Sequence, residues 1–437
     1  MNKLTVIGGG LAGCEAAYAA ANRGIEVELL EMKPAKKTAA HKSDNLAELV
    51  CSNSLKASRV DSAAGLLKEE MRRLGSVCLA AADRSAVAAG GALAVDRDIF
   101  SKLITEKIKS HPNITVTERL VTEIPQGGVT VIATGPLTDD ALAAELSKLC
   151  EGGNLSFYDA AAPIVTAESV DMSKAFFASR YDKGGDDYIN CPMNKEEYTA
   201  FYHELINAES APLHGFDKAP NVYEGCMPIE VLAKRGEDSI RFGPLKPVGL
   251  RDPRTGHRPW AAVQLRRENA AATLFNIVGF QTNLKFSEQK RVFSMIPGLE
   301  NAEFMRYGVM HRNTFINSPK MLNRNLSLKA DKNIFIAGQL SGVEGYMESA
   351  ASGIIAGINA AAEITGAKPL VLPETTMTGA LLSYITNPLT ENFQPMGANF
   401  GIIPPLEAHI RDKRERYAAL AARALGILAE NIKTEEI

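Results

Sequence analysis

KLTVIGGGLAGCEAAYAAANRGIEVELLE, residues 3–31, decides how this chain begins to fold. KLTVI is apolar and β-branched, as a strand buried on both faces requires. Gly8, Gly10 and Gly13 follow in the G-x-G-x-x-G register. CEAAYAAANRG then reads as a helix of small residues closed by Gly24, and IEVELLE as a second strand ending at Glu31. The glycines differ in what they do. Gly8 permits a tight turn, Gly10 lets backbone approach a pyrophosphate, and Gly13 lets helix and strand pack closely. The run Gly8, Gly9, Gly10, Leu11, Ala12, Gly13 therefore opens a helix whose free amides and dipole favour phosphate. Glu31, 18 positions after Gly13, is placed to hydrogen-bond a ribose hydroxyl. The stretch predicts a β-α-β unit that holds a dinucleotide.

Two later segments favour FAD over NAD as that dinucleotide. GGVTVIATGP (127–136) predicts a strand ending in Ala133, Thr134 and Gly135. NIFIAGQLSGVEGYMESAASGIIAG (333–357) predicts a strand, a glycine-rich turn with Gly338, Gln339 and Gly345, and a small-residue helix near Tyr346. These are the returning elements of a two-dinucleotide-fold flavoprotein. The expected fold class is α/β: a discontinuous, Rossmann-like FAD-binding domain, residues 1–155 and 311–437, with an α+β insertion, residues 156–310, for substrate. Within the insertion, NKEEYTAFYHELINA (194–208) predicts an amphipathic helix, and short strands broken by turns surround it. Trp260 reads as a packing residue beside basic neighbours.

Composition narrows the function classes. The six cysteines are scattered and contain no CxxC pair, which argues against a zinc site, a thioredoxin-like redox pair or a disulfide framework; no metal is expected. No apolar run is long enough for a bilayer, and MNKLTVIGGG is not a secretory leader, so no membrane association and a cytoplasmic location are expected. The net charge of −3 does not advertise nucleic-acid binding. Between Cys226 and Arg267, however, nine Lys or Arg face four Asp or Glu, which leaves an RNA-binding face open. Lys33, Lys36, Lys37 and Lys42 read as a solvated loop.

Two cysteines sit in polar, glycine-flanked surroundings: Cys51 in ELVCSNSLKAS (48–58) and Cys226 in NVYEGCMPIE (221–230). Cys14, Cys78 and Cys150 read as packing residues, and Cys191 lies outside any motif. LVCSNSLKAS, YEGCMPIEVLAKRGEDSIRFGPLKPVGL, GQLSGVEGYMESAASGIIAG and NPLTENFQPMGANFGIIPPL together resemble the folate- and FAD-dependent tRNA (uracil-5-)-methyltransferases, from Gly8 to about Leu406. The resemblance implies methylation of the T-loop uridine of tRNA at C5. The carbon comes from 5,10-methylenetetrahydrofolate, and reduced FAD, refilled by NADH or NADPH, supplies reducing equivalents and relays the methylene. It implies that Cys226 is the nucleophile that adds to uracil C6 and that Cys51, near the flavin, assists proton abstraction or protects the reduced flavin. Tyr346 would lie against the flavin and His311 against the folate pterin. Gly338-Gln339 replaces the Gly-Asp common in flavoproteins and removes a charge near the ribityl phosphate. The partners expected are tRNA, through its T-arm, and folate, with no obligate protein partner evident. Three other classes remain open: a wobble-uridine enzyme of the same flavin type, a small-molecule FAD oxidoreductase, and a non-catalytic RNA-binding flavoprotein. The longer wobble-uridine relatives carry a C-terminal extension not seen here, and YEGCMPIE also argues against that class. The paired cysteine segments and the local basic excess disfavour the small-molecule oxidoreductase, and a Cys226→Ser change, to which a binding module would be indifferent, separates the last class.

Overall fold

The computed structural model describes residues 3–38, 40–149, 155–160, 162–182, 185–211, 227–308, 310–390 and 393–434. A five-stranded sheet organises the first lobe in the order Ile334–Ile336, Val129–Ile132, Lys3–Ile7, Glu26–Glu31, Ile114–Glu118. Every neighbouring pair is parallel, with Leu4 opposite Val27 on one side and Val129 on the other. All four residues of Val129–Ile132 are buried, as both faces of a helix-covered parallel sheet demand. The strand, turn, helix and strand expected over residues 3–31 are present, as are the two returning elements.

Two helices cover the middle of this sheet and touch backbone to backbone. A Cβ on Gly353, in the helix Tyr346–Thr365, would sit 2.2 Å from the Ala12 carbonyl oxygen; one on Gly357 would sit 2.3 Å from that of Ala16. Alanine and glycine are what allow this approach, so the small-residue texture of both helices is a packing requirement. Two buried carboxylates fasten neighbouring helices. Glu15 accepts from the Val77 and Cys78 amides, both at 3.1 Å, at the start of Val77–Arg84. Glu70 does the same for Met377–Thr386, accepting from Met377 at 2.7 Å and Thr378 at 2.8 Å.

The second lobe is a six-stranded antiparallel sheet, ordered Phe176–Phe177, Tyr188–Met193, Ala261–Arg267, Leu274–Ile277, Ile164–Thr166, Phe304–Arg306. It has its own core, in which Tyr198, Phe201, Phe280 and Phe293 are buried. The expected amphipathic helix, Lys195–Asn207, supplies the first two of these and begins with an Asn194–Glu197 capping box. A two-stranded ribbon, Leu155–Ala160 against Met310–Phe315, carries the chain out to this sheet and back. No helix among the described residues is long and apolar enough to cross a membrane, and the described residues hold no cluster of His, Cys, Asp or Glu suited to a metal.

Candidate cofactor and catalytic site

A cleft opens at the carboxyl ends of the parallel strands, lined by Gly8, Gly9, Gly10, Glu31, Ala133 and Thr134 among others. The glycine loop closes on itself tightly. Gly8 has φ +99°, and a Cβ there would lie 2.7 Å from the Ala133 carbonyl oxygen; one on Gly13 would lie 1.8 Å from that of Gly8. Gly10 faces open space. Glu31 accepts from the Gly9 amide at 2.6 Å and the Lys33 amide at 2.9 Å. A carboxylate offers about four acceptor positions, so Glu31 can shape the loop and still meet a ribose hydroxyl.

Helix starts tell the same story. Ala63–Arg73, Val77–Arg84, Arg97–Lys109, Lys195–Asn207 and Met377–Thr386 each begin with a side-chain cap. The short helices Ile229–Ala233, Glu237–Arg241, Phe286–Phe293 and Ser318–Met321 have none, and neither do the longer Leu11–Ala21 and Tyr346–Thr365, which begin at Gly10 and Gly345. Uncapped amides at a cleft are what a phosphate or other electron-rich group would satisfy. The residues present therefore fit a dinucleotide.

Around the second helix start, Gly338 has φ +77° and its amide donates to Ser352 Oγ at 2.8 Å. Gln339 donates its amide nitrogen to both carboxylate oxygens of Glu344 at 3.1 Å. A buried acid five positions later, one that the sequence motifs do not single out, thus holds the Gln339 side chain. Glu348, also buried, pairs with Lys56 at 2.7 Å and accepts from the Ala398 amide at 3.0 Å. It ties the segment after Cys51 and the late 396–398 turn to the same helix start.

Cys51 and Tyr346, 295 positions apart, meet here: the Tyr346 hydroxyl accepts from the Cys51 amide at 2.7 Å and from the Ser52 amide at 3.2 Å. Burial pushes the Tyr346 phenol above its usual range, so it stays protonated. Cys226 lies outside the described residues, as does the side chain of His311, whose backbone forms part of the ribbon strand Met310–Phe315. Just beyond Cys226, Glu230 is committed to Thr282 Oγ1 and the Asn283 amide, both at 2.8 Å. Cys14, Cys78 and Cys191 are fully buried, and burial pushes the Cys191 thiol up to about 12. Cys150 falls outside the described residues.

Two charge readings need correction. Lys33 is not solvated: it is buried, its ammonium bonds the Asn45 carbonyl and lies 3.6 Å from Glu48. With burial, it holds His41 below the usual imidazole range. The basic excess of 226–267 is also thinner on the surface than its count suggests. Arg266 is buried, Arg254 pairs with Asp252 at 2.7 Å, and the Arg241 guanidinium lies 3.8 Å from the centre of the Trp260 ring. Trp260 is accordingly a packed residue, with Lys195 also 5.5 Å from its ring centre.

Sheet order, glycine loop and uncapped helices define a nucleotide-binding protein of the flavoprotein type. Residues 3–368 match the family model GIDA, glucose inhibited division protein A. Over its full length the chain is 57% identical to methylenetetrahydrofolate–tRNA-(uracil-5-)-methyltransferase TrmFO of Lactobacillus gasseri, covering 100% of this chain and 99% of the relative. TrmFO of Acetivibrio thermocellus is 58% identical, with 98% of each chain covered, and that of Enterococcus faecalis 56%, with 99% of each. The chain belongs to the GIDA family and, within it, to the TrmFO group. Among solved structures, Aquifex aeolicus GidA in its form I crystal shares the fold, with TM-score 0.70, 18% identity, and coverage of 98% of this chain and 76% of that one.

Proposed function

We propose that this chain methylates C5 of the T-loop uridine of tRNA, taking the carbon from 5,10-methylenetetrahydrofolate. Full-length identity of 56–58% to relatives named for folate-dependent tRNA uracil-5 methylation carries the reading. The meeting of Cys51 with Tyr346 at the second uncapped helix supports it. FAD, when bound and reduced by NADH or NADPH, would supply reducing equivalents and relay the methylene carbon.

The chain's own groups would do the following. Gly8–Gly13, Glu31, Ala133–Gly135 and the turn from Gly338 to Gly345 would bind and orient the cofactor. Uracil C5 is a poor nucleophile. Addition of the Cys226 thiolate to C6 forms a C–S bond and pushes the electron pair to the C4 carbonyl, so that C5 can attack the carbon donor. Cys51 would then accept the C5 proton, the bond from the transferred carbon to its donor would break as that carbon takes up a hydride equivalent from the reductant, and departure of Cys226 from C6 would restore the C5–C6 double bond. Tyr346 would hold the Cys51 backbone and lie against the flavin, and His311 would stack on the folate. The insertion, 156–310, would meet the T-arm through Lys234, Arg235, Lys246, Arg251 and Arg258, with the exposed Phe242 beside them as a stacking surface. Such an enzyme belongs in the cytoplasm with its tRNA.

The test is adduct formation with a T-arm carrying 5-fluorouridine at the target, because fluorine cannot leave C5 as a proton does. Wild type is expected to form a denaturation-stable adduct on Cys226; C226A forms none, and C51A still forms it but turns over no normal substrate. An adduct that persists in C226A moves the nucleophile elsewhere.

A further inference from the structure

Five consecutive residues, 49–53, are held by arginines from three separate elements. Arg97, opening the helix Arg97–Lys109, donates to the Leu49 carbonyl at 2.8 Å and the Cys51 carbonyl at 3.4 Å. Arg306, ending the strand Phe304–Arg306, donates to the Val50 carbonyl. Arg266, in the strand Ala261–Arg267, donates to Ser52 Oγ at 2.8 Å and Asn53 Oδ1 at 3.0 Å. Asn53 answers by donating to the Arg267 carbonyl at 2.8 Å and the Val95 carbonyl at 3.0 Å. One arm of this clamp belongs to the first lobe and two to the second.

The charge on the clamp exceeds what holding a loop requires. Neutral amides could hold a backbone loop, and a buried guanidinium is costly unless an anion accompanies it. Burial depresses Arg266 and Arg306. The charged and titratable groups facing them are Glu268, Tyr188, Tyr346, Cys51 and, beyond Arg306, His41. Glu268 is the one carboxylate among these groups, and it pairs with Arg97. Asp96, buried beside Arg97 and accepting from the Ala270 amide at 3.0 Å, is a second carboxylate nearby, so three guanidiniums stand against two carboxylates and leave a net positive charge around the Cys51 loop.

We propose that Arg97, Arg266 and Arg306 form a positioning clamp that fixes the Cys51 backbone and supplies the field in which its thiol gives its proton to solvent and rests as the thiolate. The proposal rests on the reading that Cys51 moves a proton, since a thiolate is the form able to accept one. Positive charge close to a thiol favours that form, and here it comes from both lobes at once. Cys51 is therefore poised when the second sheet is docked against the first.

The test is the pH dependence of iodoacetamide alkylation at Cys51, read by peptide mass spectrometry on the purified full chain so that Cys226 is scored separately. Wild-type Cys51 is expected to react with a midpoint at least one unit below the ordinary thiol value of about 8.5. R306Q should move the midpoint up by about one unit, a roughly tenfold loss of reactivity at pH 7, while R306K keeps it low. Arg306 is the variant of choice because its contact to the loop is single, so the fold is the least disturbed. A wild-type midpoint at or above 8.5, or equal midpoints in R306Q and R306K, overturns the proposal. Turnover of C51A is measured alongside. If C51A stays active while the midpoints behave as expected, the functional reading of Cys51 fails and the clamp stands.

Discussion

The glycine loop and the Cys51 loop are two solutions to one problem, holding a bend of backbone still beside a bound ligand. At residues 8–13 the bend is held by what is missing. Side chains are absent, so the loop packs against Ala133 and the next helix, and a Cβ on Gly13 would be 1.8 Å from the Gly8 oxygen. At residues 49–53 the bend is held by long side chains, Arg97, Arg266, Arg306 and Tyr346, reaching in from four elements. The first solution is rigid by exclusion, with one carboxylate, Glu31, accepting from the Gly9 amide. The second concentrates charge, and charge is what a proton-handling thiol needs.

That contrast can be broken by experiment. The largest effect is expected where exclusion is the device. G353V places a β-branched side chain against the Ala12 carbonyl, and neither helix can move without displacing the glycine loop. A destabilisation of about 3 kcal/mol or more is expected, together with loss of the yellow flavin colour. Thermal melting and absorbance on the same sample check this; a yellow protein with wild-type melting would mean the helices do not pack so closely. Arg306 should behave in the opposite way. R306Q should keep its flavin and most of its melting temperature while losing Cys51 reactivity, so the two loops separate by which property fails.

A smaller effect sharpens the picture beneath the glycine loop. Burial raises the Glu15 carboxyl to about 7, against about 4.3 in an unfolded chain. The native state thus holds a proton that the unfolded state has released. The contribution is full below about pH 4 and is lost as pH rises through 7, on the order of 3–4 kcal/mol in all. E15Q should flatten the decline in stability between pH 5 and 7.5, measured by denaturant unfolding. An unchanged slope would show that Ser76 and the helix amides hold Glu15 ionised.

The same contrast explains what could be read in advance. The glycine loop was legible because its determinants lie within a few residues of one another and each follows from sterics. Three-element ordering around it was legible for the same reason. The clamp was not, because Arg97, Arg266 and Arg306 each look like an ordinary surface charge in sequence. Arg266 was even part of the basic excess that suggested an RNA face. Only strand pairing, which brings Arg266 and Arg306 into one sheet, and docking of that sheet on residues 49–53 turn them inward. Lys33 misled in the same way: a lysine in a polar loop reads as solvated, and a distant carbonyl and carboxylate bury it. Glu344, which holds the Gln339 side chain, was hidden because the fingerprint looks for an acid next to the glycine rather than five positions on.

In the proposed function the cleft and the Cys51 loop together serve folate-dependent methylation of tRNA. The most direct measurement is nucleoside mass analysis of unmodified tRNA incubated with this chain, FAD, NADPH and methylenetetrahydrofolate labelled in its one-carbon unit. The expected product is 5-methyluridine at the T-loop position carrying the label. NADPH oxidation with no label in the RNA would contradict it, leaving a flavin oxidoreductase of another kind.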